Sequence, residues 1–418
     1  MFPALVPHSS VNASESLRRI LIAMSFVLFA AVFELPRLPA QFGAVAQPAK
    51  PAPITVEEAS EFADALTNAA QKSDVEAYNS LLDWSGIIDR ATALPKSAEL
   101  KKSRENFKRG SFAAMKGSGG IAGKIADDIK KGGTYKCLRI NVDGKEPYVL
   151  FRFKASNASG VNYHQLFLDR NPDGKTIASD MFVFLTAERL SETFRRSWLP
   201  VARERLKTSL EKGDSEVEPL IAKMDELTKF LDLVRKQNFV DAMKIYRALP
   251  ESLQKDKNTL LIRLKAAQAV SETEYAECLD DFRKFHPDDI ALDFLLIDSH
   301  VIRKQFDLAL KCVERTNKNV GGDAMLLVMQ ANLLIQLKRF PDARKSVESA
   351  ILAEPDLSEA YAAGLDVSLG DQNFDETVKY LTVLEKQFGY QWKDLREIGL
   401  FEEFVKSPQY RKWAQTQK

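Results

Sequence analysis

The stretch at 324–357, AMLLVMQANLLIQLKRFPDARKSVESAILAEPDL, contains two sets of apolar and small residues at the spacing of a helix face. The first set is Leu327, Ala331 and Leu334, and the second is Phe340, Ala343, Val347 and Ala350. Pro355 ends the second helix because its ring cannot continue the hydrogen-bond ladder. The stretch therefore predicts a hairpin of two closely packed helices.

The same pattern recurs through the second half of the chain. In five places an aromatic residue is followed three positions later by a small or short residue. The aromatic positions are Phe239, Tyr275, Phe306, Phe340 and Phe374. The short partners are Ala242, Cys278, Ala309, Ala343 and Thr377. The pattern recurs at intervals of roughly 34 residues, which is typical of stacked helical hairpins.

These positions resemble the tetratricopeptide repeat. The copies at 324–357 and 358–389 carry the pattern well, the copy at 290–321 carries it adequately, and the two earlier copies are degenerate. We therefore expect about five helical hairpins over 223–389. Many tetratricopeptide proteins end in an aromatic-rich segment, so residues 390–418 are expected to cap the apolar end of the stack.

The resemblance also implies a binding surface, because the first helix of each hairpin lines the concave side of such arrays. Carried over by position, the groove residues are Phe294, Asp298, Val328, Asn332, Gln336, Ala362 and Asp366. The set lacks the lysine, arginine and asparagine cluster that would clamp a terminal carboxylate. We expect a protein or peptide partner with apolar and donor groups. The alternative is that these are solvated helix positions.

Residues 55–213 are expected to form an α+β domain that begins with helices. Thr55 and Glu58 have the spacing of a capping box at the start of an amphipathic helix. Ser73 and Glu76 repeat that spacing before a shorter helix. The sequence therefore predicts helical structure before any strand in this part of the chain.

After residue 133 the apolar period changes to two, which predicts strands. The strand-like runs are 134–142, 146–154, 161–169 and 176–185. Turn signals such as Asp143-Gly144 join them, so we predict a four-stranded antiparallel meander. Thr186 is expected to cap a returning helix, which Pro200 kinks or ends.

This order of elements resembles, in topology, the cone-shaped folds of the nuclear transport factor and SnoaL-like group over residues 57–200. Those folds host enzymes, ligand carriers and interaction modules. His164 is the one histidine in the domain, and Arg152 and Asp180 lie on neighbouring runs. Since Asp can orient an imidazole that takes a proton, a pocket joining the three would favour a small-molecule binder or a hydrolase-like or isomerase-like enzyme. The default is a structural polar cluster.

A glycine-rich run invites a phosphate-loop interpretation. It consists of Gly117, Gly119, Gly120, Gly123 and Lys124. The phosphate-loop motif requires glycine where Ser118 stands, and serine or threonine where Ile125 stands. It should also follow a strand, whereas a helix is predicted here. We interpret the run as a turn between helices.

The N-terminal region has the features of an export signal. Arg18 and Arg19 precede an uncharged, mostly apolar run at 20–33, which is short for a membrane span. Ala44-Val45-Ala46 offers a cleavage site. We expect residues 1–46 to direct export to the periplasm, the cell envelope or the medium and to be removed. The alternative is an uncleaved anchor, which would be the only membrane contact.

Composition sets further bounds. The chain has 418 residues, 45% of them apolar, which is enough for two domains. We expect linkers at 47–54 and 214–222. The net charge of +1 gives no reason to expect a nucleic-acid partner. Cys137, Cys278 and Cys312 have apolar neighbours and no metal-ligand spacing, so we expect free thiols and no metal.

The sequence as a whole predicts an α+β domain followed by an all-α tetratricopeptide-type solenoid. We expect an exported scaffold or adaptor that has no cofactor and no catalytic activity. Its repeat groove would bind a protein or peptide. The alternative assigns ligand binding or catalysis to the α+β domain, with the repeats as an accessory.

Overall fold

The structure is a computed structural model that describes residues 53–93, 97–156, 160–211, 218–392 and 394–416. Within these ranges an α+β region precedes an all-α region, which confirms the predicted fold class. The chain divides into two compact units at the boundary between Leu292 and Asp293. The expected export signal at 1–46 lies outside the described residues. No helix in the described ranges is long and apolar enough to cross a membrane.

The helices before the sheet are α1 (Val56–Gln71), α2 (Val75–Ser80), α3 (Trp84–Ala91), α4 (Ser97–Ser118) and α5 (Gly120–Lys130). Thr55 and Glu58 form the predicted capping box on α1. The prediction of Ser73 as the cap of α2 is wrong. Asp74 caps that helix, because Ser73 has a left-handed φ of 53° and a cap needs extended backbone. Helix α3 was missed because it is short.

The strands are β1 (Thr134–Asn141), β2 (Tyr148–Lys154), β3 (Val161–Arg170), β4 (Thr176–Val183) and β5 (Glu188–Arg189). They pair antiparallel in the order β1-β2-β3-β4-β5, which is the predicted meander. The predicted number of strands is wrong, since β5 adds a fifth within the described residues. So short a strand cannot show an alternating pattern.

The two faces of the sheet have different surroundings. One face shares a core with the preceding helices, in which Phe151 and Leu166 meet Phe62 of α1. On the other face, the Arg189 guanidinium carbon lies 3.9 Å from the centre of the Phe167 ring. Since positive charge is attracted to aromatic faces, this contact helps to cover the second face.

Helix α6 (Leu190–Glu211) follows the sheet, and the prediction of its cap is wrong. Thr186 does not cap it, because a short 3-10 helix and a left-handed Ala187 intervene. Pro200 lies inside it and does not end it. The helices that complete the first unit are α7 (Glu218–Arg235), α8 (Phe239–Ala248), α9 (Glu251–Gln254), α10 (Lys257–Val270) and α11 (Glu272–Phe285). Helix α7 thus begins inside the stretch expected as a linker.

The second unit consists of paired helices and a C-terminal segment. The helices are α12 (Leu292–Ile302), α13 (Phe306–Val320), α14 (Ala324–Gln336), α15 (Phe340–Ala353), α16 (Ser358–Gly370), α17 (Phe374–Phe388) and α18 (Pro408–Gln415). Helix α14 packs against both α15 and α16, and α16 packs against α17. Three short 3-10 helices lie between α17 and α18 in the described part of the segment.

One turn geometry recurs between paired helices. Gln237, Lys304, Lys338 and Gln372 all have φ between 57° and 59°, and each stands two positions before a repeat aromatic. Tyr275 has no such residue before it, because Ser271 both ends α10 and caps α11. The different turn thus lies within the interval from Phe239 to Tyr275, which is the longest between successive repeat aromatics.

Two glycines permit close helix contacts in the second unit. A Cβ atom at Gly364 would lie 2.4 Å from Cζ of Tyr380, which is shorter than atoms tolerate. A Cβ atom at Gly370 would lie 2.5 Å from Cε1 of Phe340. Both glycines are on α16, so the backbone of this helix packs directly against the aromatic rings of Tyr380 and Phe340.

Candidate functional site

Three polar residues occupy one position in successive helical repeats. Asp298 lies on α12, Asn332 on α14 and Asp366 on α16, and each is separated from the next by one repeat period. Because α14 and α16 pack side by side, equivalent positions on them are neighbours. We call these three residues the polar row.

Two members of the polar row, Asn332 and Asp366, have acceptor groups without a hydrogen-bond partner among the described residues. Asn332 is 6% exposed, and its Oδ1 atom accepts no hydrogen bond in the described part of the chain. Burial raises the pKa of Asp366 to about 7. No described residue forms an ion pair or hydrogen bond with the Asp366 carboxyl. Since an unsatisfied buried acceptor is costly, the row suits a ligand that supplies donors.

The other predicted groove residues fall into two groups. Phe294 is 4% exposed and Val328 is 2% exposed, so their side chains belong to the packed interior. Gln336 and Ala362 are half-buried, as are Asp298 and Asp366 of the row. The accessible part of the predicted set is therefore more polar than its composition indicated.

Arg344 links two neighbouring hairpins and was not anticipated. Its guanidinium binds Asp371, with Nη2 2.5 Å from Oδ2, and also contacts the carboxylate of Glu376. Leucine and valine stand one period away at 310 and 378, so the repeat pattern held no signal for this residue. Asp371 directly follows α16, and Glu376 lies in the first turn of α17. The two contacts with Arg344 therefore fix the turn that follows the polar row.

His164 belongs to a buried hydrogen-bond chain within the first unit. The hydroxyls of Tyr78 and Tyr135 are 3.1 Å apart, and the Tyr135 hydroxyl is 3.1 Å from Nδ1 of His164. Nε2 of His164 is 3.2 Å from the Asn162 amide nitrogen. Burial lowers the pKa of His164 to about 3, which keeps the ring neutral at physiological pH.

The structure does not bring His164, Arg152 and Asp180 into one pocket. His164 pairs with Phe151 across β2 and β3, whereas Arg152 pairs with Tyr163. Asp180 pairs with Phe167 across β3 and β4. Tyr163 and Phe167 both lie an odd number of residues from His164 on β3. Because alternate residues point to opposite faces, Arg152 and Asp180 lie on the face away from His164. The expectation that the three lie near one another is wrong.

Asp180 has a structural role at the start of α6. Its carboxylate accepts hydrogen bonds from the hydroxyl of Ser191 at 2.6 Å and from the backbone N–H of Ser191 at 3.3 Å. The Arg90 guanidinium lies 3.6 Å from the same carboxylate. These bonds satisfy an otherwise open N–H group of the first helical turn.

The remaining candidate groups are not arranged for chemistry. Within the described residues, no group of three His, Cys, Asp or Glu side chains is placed to hold a metal ion. Cys137, Cys278 and Cys312 are free thiols. Burial raises the pKa of the Cys278 thiol to about 12, which makes it a poor nucleophile.

Comparison with known proteins adds no identity. No family model, no curated protein and no solved structure matches the chain. The α+β fold, the helical repeats and the polar row are therefore the features that bear on the function of the protein.

Proposed function

We propose that the helical repeats bind a protein or peptide through the polar row, and that the protein acts as a non-catalytic scaffold or adaptor. The observation that supports this is the pair of unsatisfied acceptors on adjacent helices, Asn332 Oδ1 and the Asp366 carboxyl. Lys or Arg side chains, or backbone N–H groups, would supply the missing donors.

Rigid presentation favours binding to such a surface. Helices α14 and α16 are fixed by packing on both sides, and the Arg344 contacts fix the following turn. A surface held in this way loses little conformational entropy when a partner docks. Charge on Asp366 would be stabilised by a cationic partner, so affinity should depend on that carboxyl.

A peptide library panned against the full chain tests the proposal. We expect the selected peptides to be rich in Lys or Arg. Their affinity, measured by fluorescence anisotropy at pH 8, should fall at least tenfold in the double variant Asp298→Asn/Asp366→Asn. Asp356→Asn, at an exposed position in the same unit, is the matched control. Peptides that bind the double variant as they bind wild type would refute the role of the row.

We propose further that residues 1–46 direct export, so that the scaffold acts in the cell envelope or outside the cell. The support is the basic pair followed by the apolar run at 20–33. The test is an intact-mass measurement of the exported protein. A mass that includes Arg18 would refute cleavage after Ala46.

No observation favours catalysis as a second proposal. The enzymatic alternative depends on a pocket that joins His164 to Arg152 and Asp180, and the sheet separates them.

A further inference from the structure

A cluster of positive side chains surrounds a small cavity in the first unit, whereas the polar row belongs to the second unit. The cavity has a volume of about 60 Å³. Arg196 of α6, Arg235 of α7 and Lys265 of α10 line its polar side. Leu231 and Ile262 contribute to its apolar side. Cations from three helices thus converge on one apolar-walled space.

The charges in this cluster repel one another. Burial lowers the pKa of Lys265, and the positive charge of Arg196 lowers it further. Lys124 of α5 shows the same behaviour, since burial and then the charge of Lys265 lower its pKa. The field at both ammonium groups therefore opposes their protonation.

Ion pairs with carboxylates neutralise part of the positive charge at the cavity. Arg196 contacts the carboxylate of Glu188, which is 1% exposed and also accepts a hydrogen bond from the Thr193 hydroxyl at 2.7 Å. Arg235 pairs with Asp232 at 2.8 Å, but both side chains are largely exposed, and such pairs are weak. An anion that entered the cavity would relieve the repulsion between Arg196 and Lys265.

The size and chemistry of the cavity select the anion. A water molecule needs about 10–15 Å³ of such space, so 60 Å³ holds roughly four water-sized groups. A phosphate group has this size. Guanidinium forks bind its oxygens in pairs, and lysine adds a point charge. We propose that the cavity between α6, α7 and α10 binds a phosphate group, with Lys124 adding long-range attraction.

The proposal gives Lys124 a role that the glycine-rich run did not predict. The run fails the phosphate-loop motif, but Gly119 has a left-handed φ of 70° and precedes α5, which carries Lys124 toward Lys265. Phosphate would be held by side chains from helices far apart in sequence, with no glycine loop around it.

Titration of the full chain with inorganic phosphate tests this site. We expect one equivalent to bind by calorimetry and the melting temperature to rise, since a ligand that binds only the folded state stabilises it. Potassium chloride at matched ionic strength should not reproduce the shift. Phenyl phosphate, run in parallel, should bind at least as tightly if the source is a monoester that uses the apolar wall, and more weakly if it is free phosphate.

Variants connect the binding to the cluster. Lys265→Gln and Arg235→Gln should each weaken phosphate binding at least tenfold, whereas the exposed control Lys345→Gln should not. Without phosphate, each variant should still show a cooperative melting transition, which checks that it is folded. The proposal is overturned if chloride gives the same shift or if both cluster variants bind phosphate like wild type.

Discussion

Replacing Asp366 by asparagine removes a charge that burial disfavours while keeping the shape of the side chain. The ordinary pKa of an aspartate is 3.8, and burial raises that of Asp366 to about 7. The folded state therefore binds this proton more tightly than the unfolded state. The resulting stability penalty is absent below pH 3.8, grows as the pH rises toward 7, and is constant above it.

The magnitude follows from the difference between the two pKa values. Each pH unit corresponds to about 1.4 kcal/mol, so the wild type loses about 4 kcal/mol at pH 8, where the folded carboxyl is ionised, and about 2 kcal/mol at pH 5, where only the unfolded state is ionised. Asp366→Asn avoids both losses. We expect the variant to be more stable than wild type, with an advantage that is larger by about 2 kcal/mol at pH 8 than at pH 5.

Urea unfolding followed by circular dichroism at both pH values measures this advantage, with Asp356→Asn as the control at an exposed site. An advantage that is the same at pH 5 and pH 8, or a variant less stable than wild type at pH 8, would refute the reasoning. The same variant should bind cationic peptides more weakly. A variant that is more stable but binds peptides more weakly would show that the Asp366 carboxyl destabilises the fold and contributes to binding.

Three further changes probe the packing. Gly364→Ala should destabilise the protein by about 1–3 kcal/mol, because the new methyl group would strike the Tyr380 ring, and thermal melting measures this loss. Tyr135→Phe should cost about 1–3 kcal/mol in urea unfolding, since it leaves Nδ1 of His164 without its partner. Deletion of 391–418 should lower the melting temperature of the repeats and cause aggregation if this segment caps the stack as the sequence predicts.

Controls for these changes are available in the same chain. Gly110→Ala, in the middle of α4, meets no atom within 4 Å and should stabilise the helix by about 0.5–1 kcal/mol. Tyr148→Phe, at a half-buried position, should have a smaller effect than Tyr135→Phe. Unchanged solubility and melting after the deletion would argue against a capping role.

The periodic parts of this fold were predictable from the sequence. The aromatic positions mark the second helix of each pair, since Phe306, Phe340 and Phe374 each begin a helix. Strand bounds were also predictable to within a few residues, because turn residues and alternation are local signals. The very short strand β5 and the short helix α3 are too brief to produce such a signal.

Contacts between distant elements were not predictable in the same way. The face on which Arg152 lies depends on the register of β2 against β3, and a shift of one residue would reverse it. Lys124 and Lys265 lie far apart in the sequence, and no pattern connects them. The regular spacing of Asp298, Asn332 and Asp366 did place the polar row, whereas the burial of Phe294 and Val328 required the packed structure.

The position of the row depends on features that have no ligand role of their own. Gly364 allows α16 to approach the Tyr380 ring of α17, and the left-handed residues Lys338 and Gln372 set the turns of the hairpins α14–α15 and α16–α17. Together they position α16 against α17, and with it the Asp366 carboxyl relative to Asn332. Since a partner must bridge these acceptors, a change in helix spacing should weaken binding even where the polar side chains are intact. Loss of peptide affinity in a folded Gly364→Ala variant would support that dependence, and unchanged affinity would contradict it.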